Sequence, residues 1–399
     1  MEKPVAALEF GSKKMKLVIG YELNGQVYVL YALTRPYGHM IEGGNFVDIS
    51  KVTQCVKEIK NFTDPSAELK LSISEVLLAL PPYGLQIFTS QQITTVVGDD
   101  GCIGKIDIRN VHALIRNGQL PFENELIDIV PVFYELDQGT RFIKPPLGQQ
   151  SSTVRVGAMV HTLPKHINKQ YAQALLGAGI NVKRQIVAPF AACELLGSYQ
   201  DVPNDYILVD IGATMTTVSL VGEKRLYGSV YFPWGGDNIT EKIMEVFNVN
   251  EVDAEKFKIT YGLDNREMNF KAPICRVTDE EGNETKHYAD ELNQIIKEEL
   301  SIFVKDLNAS LEQLLQNYDP SLKKSPMILV GGGSQLYGLE NYLAPKVESD
   351  DVHVIAPRNL GARDATYTNC LGLILANASN PTVYDENHPR VGQLTRDEN

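Results

Sequence analysis

One short pattern occurs twice in this chain of 399 residues. Near the start an apolar run ends on Glu9, and Phe10, Gly11 and Ser12 lead through a lysine-rich turn into a second apolar run. About 200 residues later an apolar run ends on Asp210, and Ile211, Gly212 and Ala213 lead to another at 218–221. Each copy reads as a β-hairpin with an acid closing its first strand and a glycine at its tip, and each is followed by a further strand. A tight turn by itself favours glycine, but it does not require the acid. The recurrence therefore predicts an internal duplication: two similar lobes whose acid–glycine hairpins face each other across a cleft.

The surrounding periodicity favours an α/β architecture. Strands are expected at 5–10, 15–21 and 26–33, then a helix carrying Val52, Val56 and Ile59, then a buried strand in "EVLLALP". Residues 84–163 differ, with short strands around one helical stretch, "IRNVHALIRN", and read as an inserted module. A helix at 164–178, a strand at 182–187 and a helix begun by Pro189 follow, since proline suits a first helical turn. The second hairpin opens a three-strand meander. "VTDEEGNETKHY" reads as a solvated surface turn, and 288–316 carries apolar residues at helical spacing, predicting one or two core-facing helices. Strand, glycine loop and helix follow in "SPMILVGGGSQLYGLENYLAP". The polar stretch from Asn380 onward predicts a disordered tail.

Composition removes several classes of function. A net charge of −13 disfavours a general nucleic-acid binder, whose phosphate partner needs a basic face. No apolar run reaches the length of a membrane span, and "MEKPVAALEF" lacks a signal-peptide pattern. The five cysteines are scattered and odd in number, which reads as reduced thiols in a cytoplasm without a zinc site.

The chemistry resides in the turns. "MILVGGGSQLYG" places three glycines between a strand and a helix, letting backbone approach a ligand near a helix N-terminus. It lacks the lysine of a P-loop and the spacing of a dinucleotide fingerprint. Two hairpin tips with free N–H groups can wrap a phosphate chain, and Lys16 can neutralise phosphate charge. An acid at each strand end, Glu9 and Asp210, can hold Mg²⁺ through water.

With these elements in this order, the chain resembles the actin/Hsp70/sugar-kinase superfamily. Residues 9–16 are similar to its first phosphate motif, 210–217 to its second and 331–338 to its adenosine motif. "PWGGDNITEKI" resembles the loop and helix after the second meander, and "DAEKFKITYG" the helix that contacts the nucleoside. Within the superfamily, residues 5–376 most resemble the FtsA family of actin-like bacterial division proteins. The insertion discriminates: "IGKIDIRNVHALI", "IDIVPVFYELDQGTRFIKPPLG" and "VGAMVHTL" are similar to subdomain 1C of that family. The resemblance implies a two-lobed fold of duplicated ribonuclease-H-like domains. Subdomain 1A would comprise 1–83, 164–200 and 357–379, and 1C 84–163; 2A would comprise 201–236 and 305–356, and 2B 237–304, with 380–399 a tail. It implies ATP and Mg²⁺ held by Gly11, Ser12, Lys13, Lys16, Gly212, Ala213, Thr214, Met215, Gly235, Gly236 and Asp237, with Glu9 and Asp210 as water-mediated metal ligands. Glu255, Lys258, Gly332, Gly333, Ser334 and Leu336 would meet the nucleoside. Implied partners are the FtsZ C-terminal tail on 2B, further copies of the chain through 1C and the lobe tops, and other division proteins. The implied location is the inner face of the cytoplasmic membrane at the division site.

Four departures from the family pattern matter. Glu9 stands where aspartate is usual, moving the carboxylate by about 1.5 Å. Thr214 replaces a turn glycine, and a β-branched residue resists positive φ. Ala188 stands where ATP-hydrolysing relatives carry glutamate, which predicts slow or absent hydrolysis. Finally, 380–399 has no apolar stripe matching the membrane-binding helix that ends FtsA proteins. Two other readings compete, a PilM-like pilus-assembly adaptor and a small-molecule kinase. The kinase needs a substrate-side aspartate in the first lobe, and none stands out. Trp234 beside two glycines suits either a nucleotide loop or the core.

Overall fold

The computed structural model describes residues 3–60, 73–263, 273–278, 282–316, 318–349 and 351–379. The expected tail from Asn380 lies outside them. The chain divides into two units: Met1–Ser198 with Asn359–Gly361 and Asn369–Asn399, and Tyr199–Arg358 with Ala362–Thr368.

The first unit is built on a five-stranded sheet in the order Asn181–Val187, Glu75–Leu80, Val5–Phe10, Lys14–Leu23, Gln26–Pro36. Its first three strands are mutually parallel, and the last two are antiparallel hairpin additions. The central strands read as continuous apolar runs because both faces are covered, as parallel sheets require. Helix Ile49–Lys60 buries Val52, Val56 and Ile59, the i, i+4, i+7 stripe expected from the sequence. Its last residue, Lys60, donates to the carbonyl of Gly179 at 2.9 Å, just beyond the end of helix Lys165–Gly177. Helix Thr368–Ser379 supplies this unit from the far end of the sequence. A Cβ at Gly372 would lie 1.8 Å from the Ala191 carbonyl oxygen, so glycine allows the two backbones to touch.

Between Leu80 and Asn181 the chain forms a separate antiparallel sheet in the order Gln86–Thr95, Thr153–Pro164, Asn124–Leu136, Arg141–Phe142. Helix Lys105–Arg116 seals one face with Ile108, Val111 and Ile115 against Tyr134, Val154 and Val156. The helix starts three residues before "IRNVHALIRN" because the buried Asp107 carboxylate accepts from the N–H groups of Gly104 and Val97, both at 2.8 Å. A buried ion pair ties this sheet to the main one. Arg184 Nη2 lies 2.8 Å from Asp128 Oδ2, and Arg184 Nη1 donates to the Ala376 carbonyl at 2.6 Å.

The second unit repeats the first sheet. Its order is Val352–Val354, Met327–Val330, Tyr206–Ile211, Thr216–Gly222, Arg225–Phe232. Again three strands are parallel and two are antiparallel additions. In both sheets the strand that comes first in the chain is central, the next two extend one side and the last two the other. Segment 288–316 is a single helix, Ala289–Leu315, burying Leu292, Ile296, Phe303, Leu307 and Leu311. Trp234 packs on Phe303 with ring centroids 4.6 Å apart, so its place is in the core. Strands Cys275–Thr278 and Glu284–His287, flanking the charged turn, pair antiparallel, and His287 stacks on Phe247 at 4.2 Å; the expected turn itself, 279–281, lies outside the described residues. None of the five cysteines is in a disulfide.

Candidate functional site

The two hairpin tips share one turn geometry. Gly11 N–H donates to the Lys14 carbonyl at 3.0 Å, and Gly212 N–H to the Met215 carbonyl at 2.9 Å. Neither glycine has positive φ. An added Cβ would crowd the turn carbonyl, at 3.1 Å for Gly11 and 2.9 Å for Gly212. Thr214 also avoids positive φ, as a β-branched residue at this turn should.

In the first unit the tip is anchored from outside the hairpin. Tyr37 N–H donates to Lys13 O and Met40 N–H to Ser12 O, both at 3.0 Å, and the Tyr37 hydroxyl donates to Gly11 O. Burial, reinforced by Glu9, pushes the Tyr37 phenol up, so it stays a neutral donor. Glu9 is buried and faces Lys16 across the hairpin. Lys16 Nζ lies 3.2 Å from Glu9 Oε2, while Asn369 Nδ2 donates to Glu9 Oε1 at 3.0 Å.

In the second unit three loops converge on the hairpin. Gly236 N–H donates to Gly212 O at 3.0 Å and Asp237 N–H to Ala213 O at 2.8 Å, so these two donors of helix Gly236–Phe247 are spent on the tip. Gly235 permits the approach, since a Cβ there would lie 2.4 Å from Ala213 O. Thr216 Oγ1 donates to the Trp234 carbonyl at 2.7 Å, holding the same loop from below.

Glu255 and Lys258, on helix Glu251–Tyr261, form a tight knot with Thr240. Lys258 Nζ lies 2.6 Å from Glu255 Oε2 and donates to Thr240 Oγ1 at 2.7 Å and to Gly236 O at 2.9 Å. Thr240 Oγ1 donates in turn to Glu255 Oε2 at 2.7 Å. Lys258 is thus a strut between the glycine loop and this helix. Lys258→Met keeps the length but removes the charge, and is expected to lower unfolding free energy by about 2 kcal/mol in urea titration, because three acceptors lose their donor.

The glycine loop after Met327–Val330 is closely fitted to the end of Tyr206–Ile211. Gly331 has φ +84°, and a Cβ there would sit 2.2 Å from Asp210 Oδ1. A Cβ at Gly333 would sit 2.4 Å from Ile211 Cγ2. Residues Gly332–Gln335 make a 3-10 turn, with Ser334 Oγ donating to Gly331 O at 2.7 Å. An α-helix begins only at Leu339. Leu336 N–H bonds Gly333 O at 3.3 Å, and Tyr337 O accepts from Leu263 N–H at 2.9 Å, bringing the end of Glu251–Tyr261 to the loop.

Sequence reasoning marked most of these positions, Gly331 among them as the first of three loop glycines, but missed Thr240, Tyr37 and Asn369. Thr240 was findable, one helical turn after Gly236; Asn369 sits 360 residues from Glu9 and left no local signal. Among the described residues no three His, Cys, Asp or Glu side chains group as a metal cage. Isolated carboxylates suit a hydrated Mg²⁺ that keeps most of its water.

Comparison with known proteins adds several likenesses. The model of the cell division protein FtsA matches residues 207–372. The family it matches is FtsA. The FtsA protein of Enterococcus hirae is 24% identical over 380 residues, covering 94% of this chain and 84% of that one. FtsA of Buchnera aphidicola is 26% identical over 380 residues, covering 92% and 87%. Among solved structures, the PilM-PilN type IV pilus biogenesis complex aligns at 20% identity and TM-score 0.60, over 96% of this chain and 99% of that one. MreB 5 of Spiroplasma citri bound to AMPPNP aligns at 13% identity and TM-score 0.54, over 95% and 97%. The fold is actin-like, in keeping with FtsA. Among the described residues no helix is long and apolar enough to cross a membrane.

Proposed function

We propose that this protein binds ATP with Mg²⁺ and serves as an actin-like scaffold of bacterial cell division, polymerising and joining FtsZ filaments to the inner face of the cytoplasmic membrane. The observation that carries this reading is the repeated sheet with the same acid–glycine turn, in a chain whose FtsA relatives align along 92–94% of its length. Phosphate contacts fall to Gly11, Ser12 and Lys16 in the first unit, and to 212–215 in the second. Glu255 and the 332–336 turn address the nucleoside, and Asp210 holds Mg²⁺ through water. Hydrolysis is slow: helix Ala188–Gly197 opens with no acid in its first turn, and a general base is worth about 10²–10⁴-fold.

Protein contacts fall to other surfaces. The FtsZ tail docks on 237–304, centred on the first half of helix Ala289–Leu315, and self-association runs through the 84–163 module. Retention of the full chain on an immobilised FtsZ C-terminal tail peptide is the expected result; no retention at micromolar peptide sinks the FtsZ role. The same assay judges a second reading, a pilus-assembly adaptor, which is favoured by the fold likeness to the PilM-PilN complex.

A further inference from the structure

In both units the carbonyls of the hairpin tip are tied back by the segment that follows the third strand. In the second unit that segment follows Arg225–Phe232, and its Gly236 and Asp237 N–H groups bond Gly212 O and Ala213 O. In the first it is a strap, residues 37–46, after strand Gln26–Pro36. Three consecutive tip carbonyls accept from this strap: Gly11 O from the Tyr37 hydroxyl, Ser12 O from Met40 N–H and Lys13 O from Tyr37 N–H. In a planar trans peptide the carbonyl and the next N–H point in opposite directions. Holding these carbonyls on the strap side therefore turns the N–H groups of Ser12, Lys13 and Lys14 the other way, as an anion-binding nest requires. The strap is itself held. Its Met40 carbonyl accepts from Val47 N–H at 2.9 Å, closing a hairpin of Ile41–Glu42 and Asn45–Phe46. Gln170 lies on helix Lys165–Gly177, directly after the inserted module. It accepts from Phe46 N–H at 2.7 Å and donates to Asn45 Oδ1 at 2.9 Å and Gly44 O at 3.3 Å. Phe46 stacks on Tyr171 at 4.3 Å and meets the ring of Phe10, the neighbour of Gly11, edge-on at 5.3 Å.

We propose that Tyr37 is a positioning residue for a nucleoside triphosphate: through the strap it keeps the carbonyls of the first tip off the phosphates, and Gln170 sets the strap from its far end. This rests on the nucleotide reading above. The second unit ties its tip back with main-chain donors, which no side-chain substitution removes, whereas the first depends in part on one hydroxyl. Burial keeps that hydroxyl neutral and able to donate. Without it, the Gly11 carbonyl is free to swing its negative end toward a triphosphate. One neutral hydrogen bond is worth about three- to tenfold in an equilibrium constant. Gln170 acts one step further from the tip, so its share is smaller.

Calorimetric titration of the full chain with ATP and Mg²⁺, paired with hydrogen exchange at the Met40 amide, tests this. Tyr37→Phe keeps the ring and removes only the hydroxyl, and is expected to weaken ATP by about three- to tenfold. In the unmodified protein, ATP at about ten times its Kd is expected to slow Met40 exchange by about tenfold, the limit that linkage sets. A merely structural strap would lower the urea midpoint when altered but would give the Met40 amide no ATP-dependent protection. Gln170→Met, which keeps the length without the hydrogen bonds, is expected to weaken ATP by about threefold. It decides the matter if Tyr37→Phe does not fold. Protection of Met40 below about twofold, or an affinity in the deciding variant within about twofold of the unmodified value, overturns the inference and leaves nucleotide binding intact. Absence of ATP binding to the unmodified protein overturns both.

Discussion

Between pH 7 and pH 5 two buried histidines are expected to withdraw about 4 kcal/mol of stability from the first unit, half from each. His112 lies on helix Lys105–Arg116 with Nε2 3.1 Å from the Tyr134 hydroxyl. Burial, with help from Arg116, lowers it to about 4. His161 lies on strand Thr153–Pro164, edge-on to Phe190 at 5.1 Å. Burial lowers it to about 4 as well, with Asp128 pulling up and Arg184 pushing down. Both imidazoles are neutral in the native protein, while the unfolded chain protonates them near 6.5. Their contribution is complete above that value and is lost progressively as pH falls toward 4. Glu125 and Glu194, which burial pushes up, act in the opposite sense and favour the native state at low pH. The histidine share is therefore isolated by substitution. Urea titrations at both pH values should show His112→Gln and His161→Gln each reducing the pH effect by about 2 kcal/mol. An unchanged pH effect in both variants refutes the assignment.

Gly331→Ala is expected to cost about 3 kcal/mol or more and to abolish measurable ATP binding. Two penalties act together. The backbone at φ +84° disfavours any side chain, and the new methyl would meet Asp210 Oδ1 at 2.2 Å and Ile211 O at 2.6 Å. Neither neighbour can retreat freely: Asp210 closes a central strand, and the Ile211 oxygen is backbone. Gly25→Ala separates the two penalties, since Gly25 has φ +79° with nothing within 4 Å of its added Cβ. It should cost only about 1 kcal/mol, the price of the left-handed backbone alone. Equal losses in the two variants would show that the contact with Asp210 is soft.

The duplication was legible because it lies in local pattern: an acid at a strand end, a glycine at a turn, then a third strand. The inserted module was legible for the same reason, its apolar alternation breaking from the flanking segments. What escaped were contacts made across long sequence separations. Asp128 gives no hint in "LIDIVPVF" that it will meet Arg184, because the register shift between His161 and Thr162 decides where it points. The family motif marks Lys258, but its knot with Thr240 depends on how two helices pack, which no local pattern shows. Thr214 resists positive φ, and the turn it occupies does not require it.

Helix Thr368–Ser379 has a consequence for how the protein is made. Its residues complete the first unit: Asn369 reaches Glu9, Gly372 lies on Ala191, and the Ala376 carbonyl accepts from Arg184. A ribosome adding about 5–20 residues per second needs on the order of 10–30 s to travel from Ser198 to Asn369. During that interval the N-terminal strands exist without the segment that closes them, while the second unit, nearly whole by Arg358, has all its sheet strands in hand. The half made first has every strand of its sheet by Val187 but waits for its last helix, so the contacts that helix makes are the last to become available to the nascent chain.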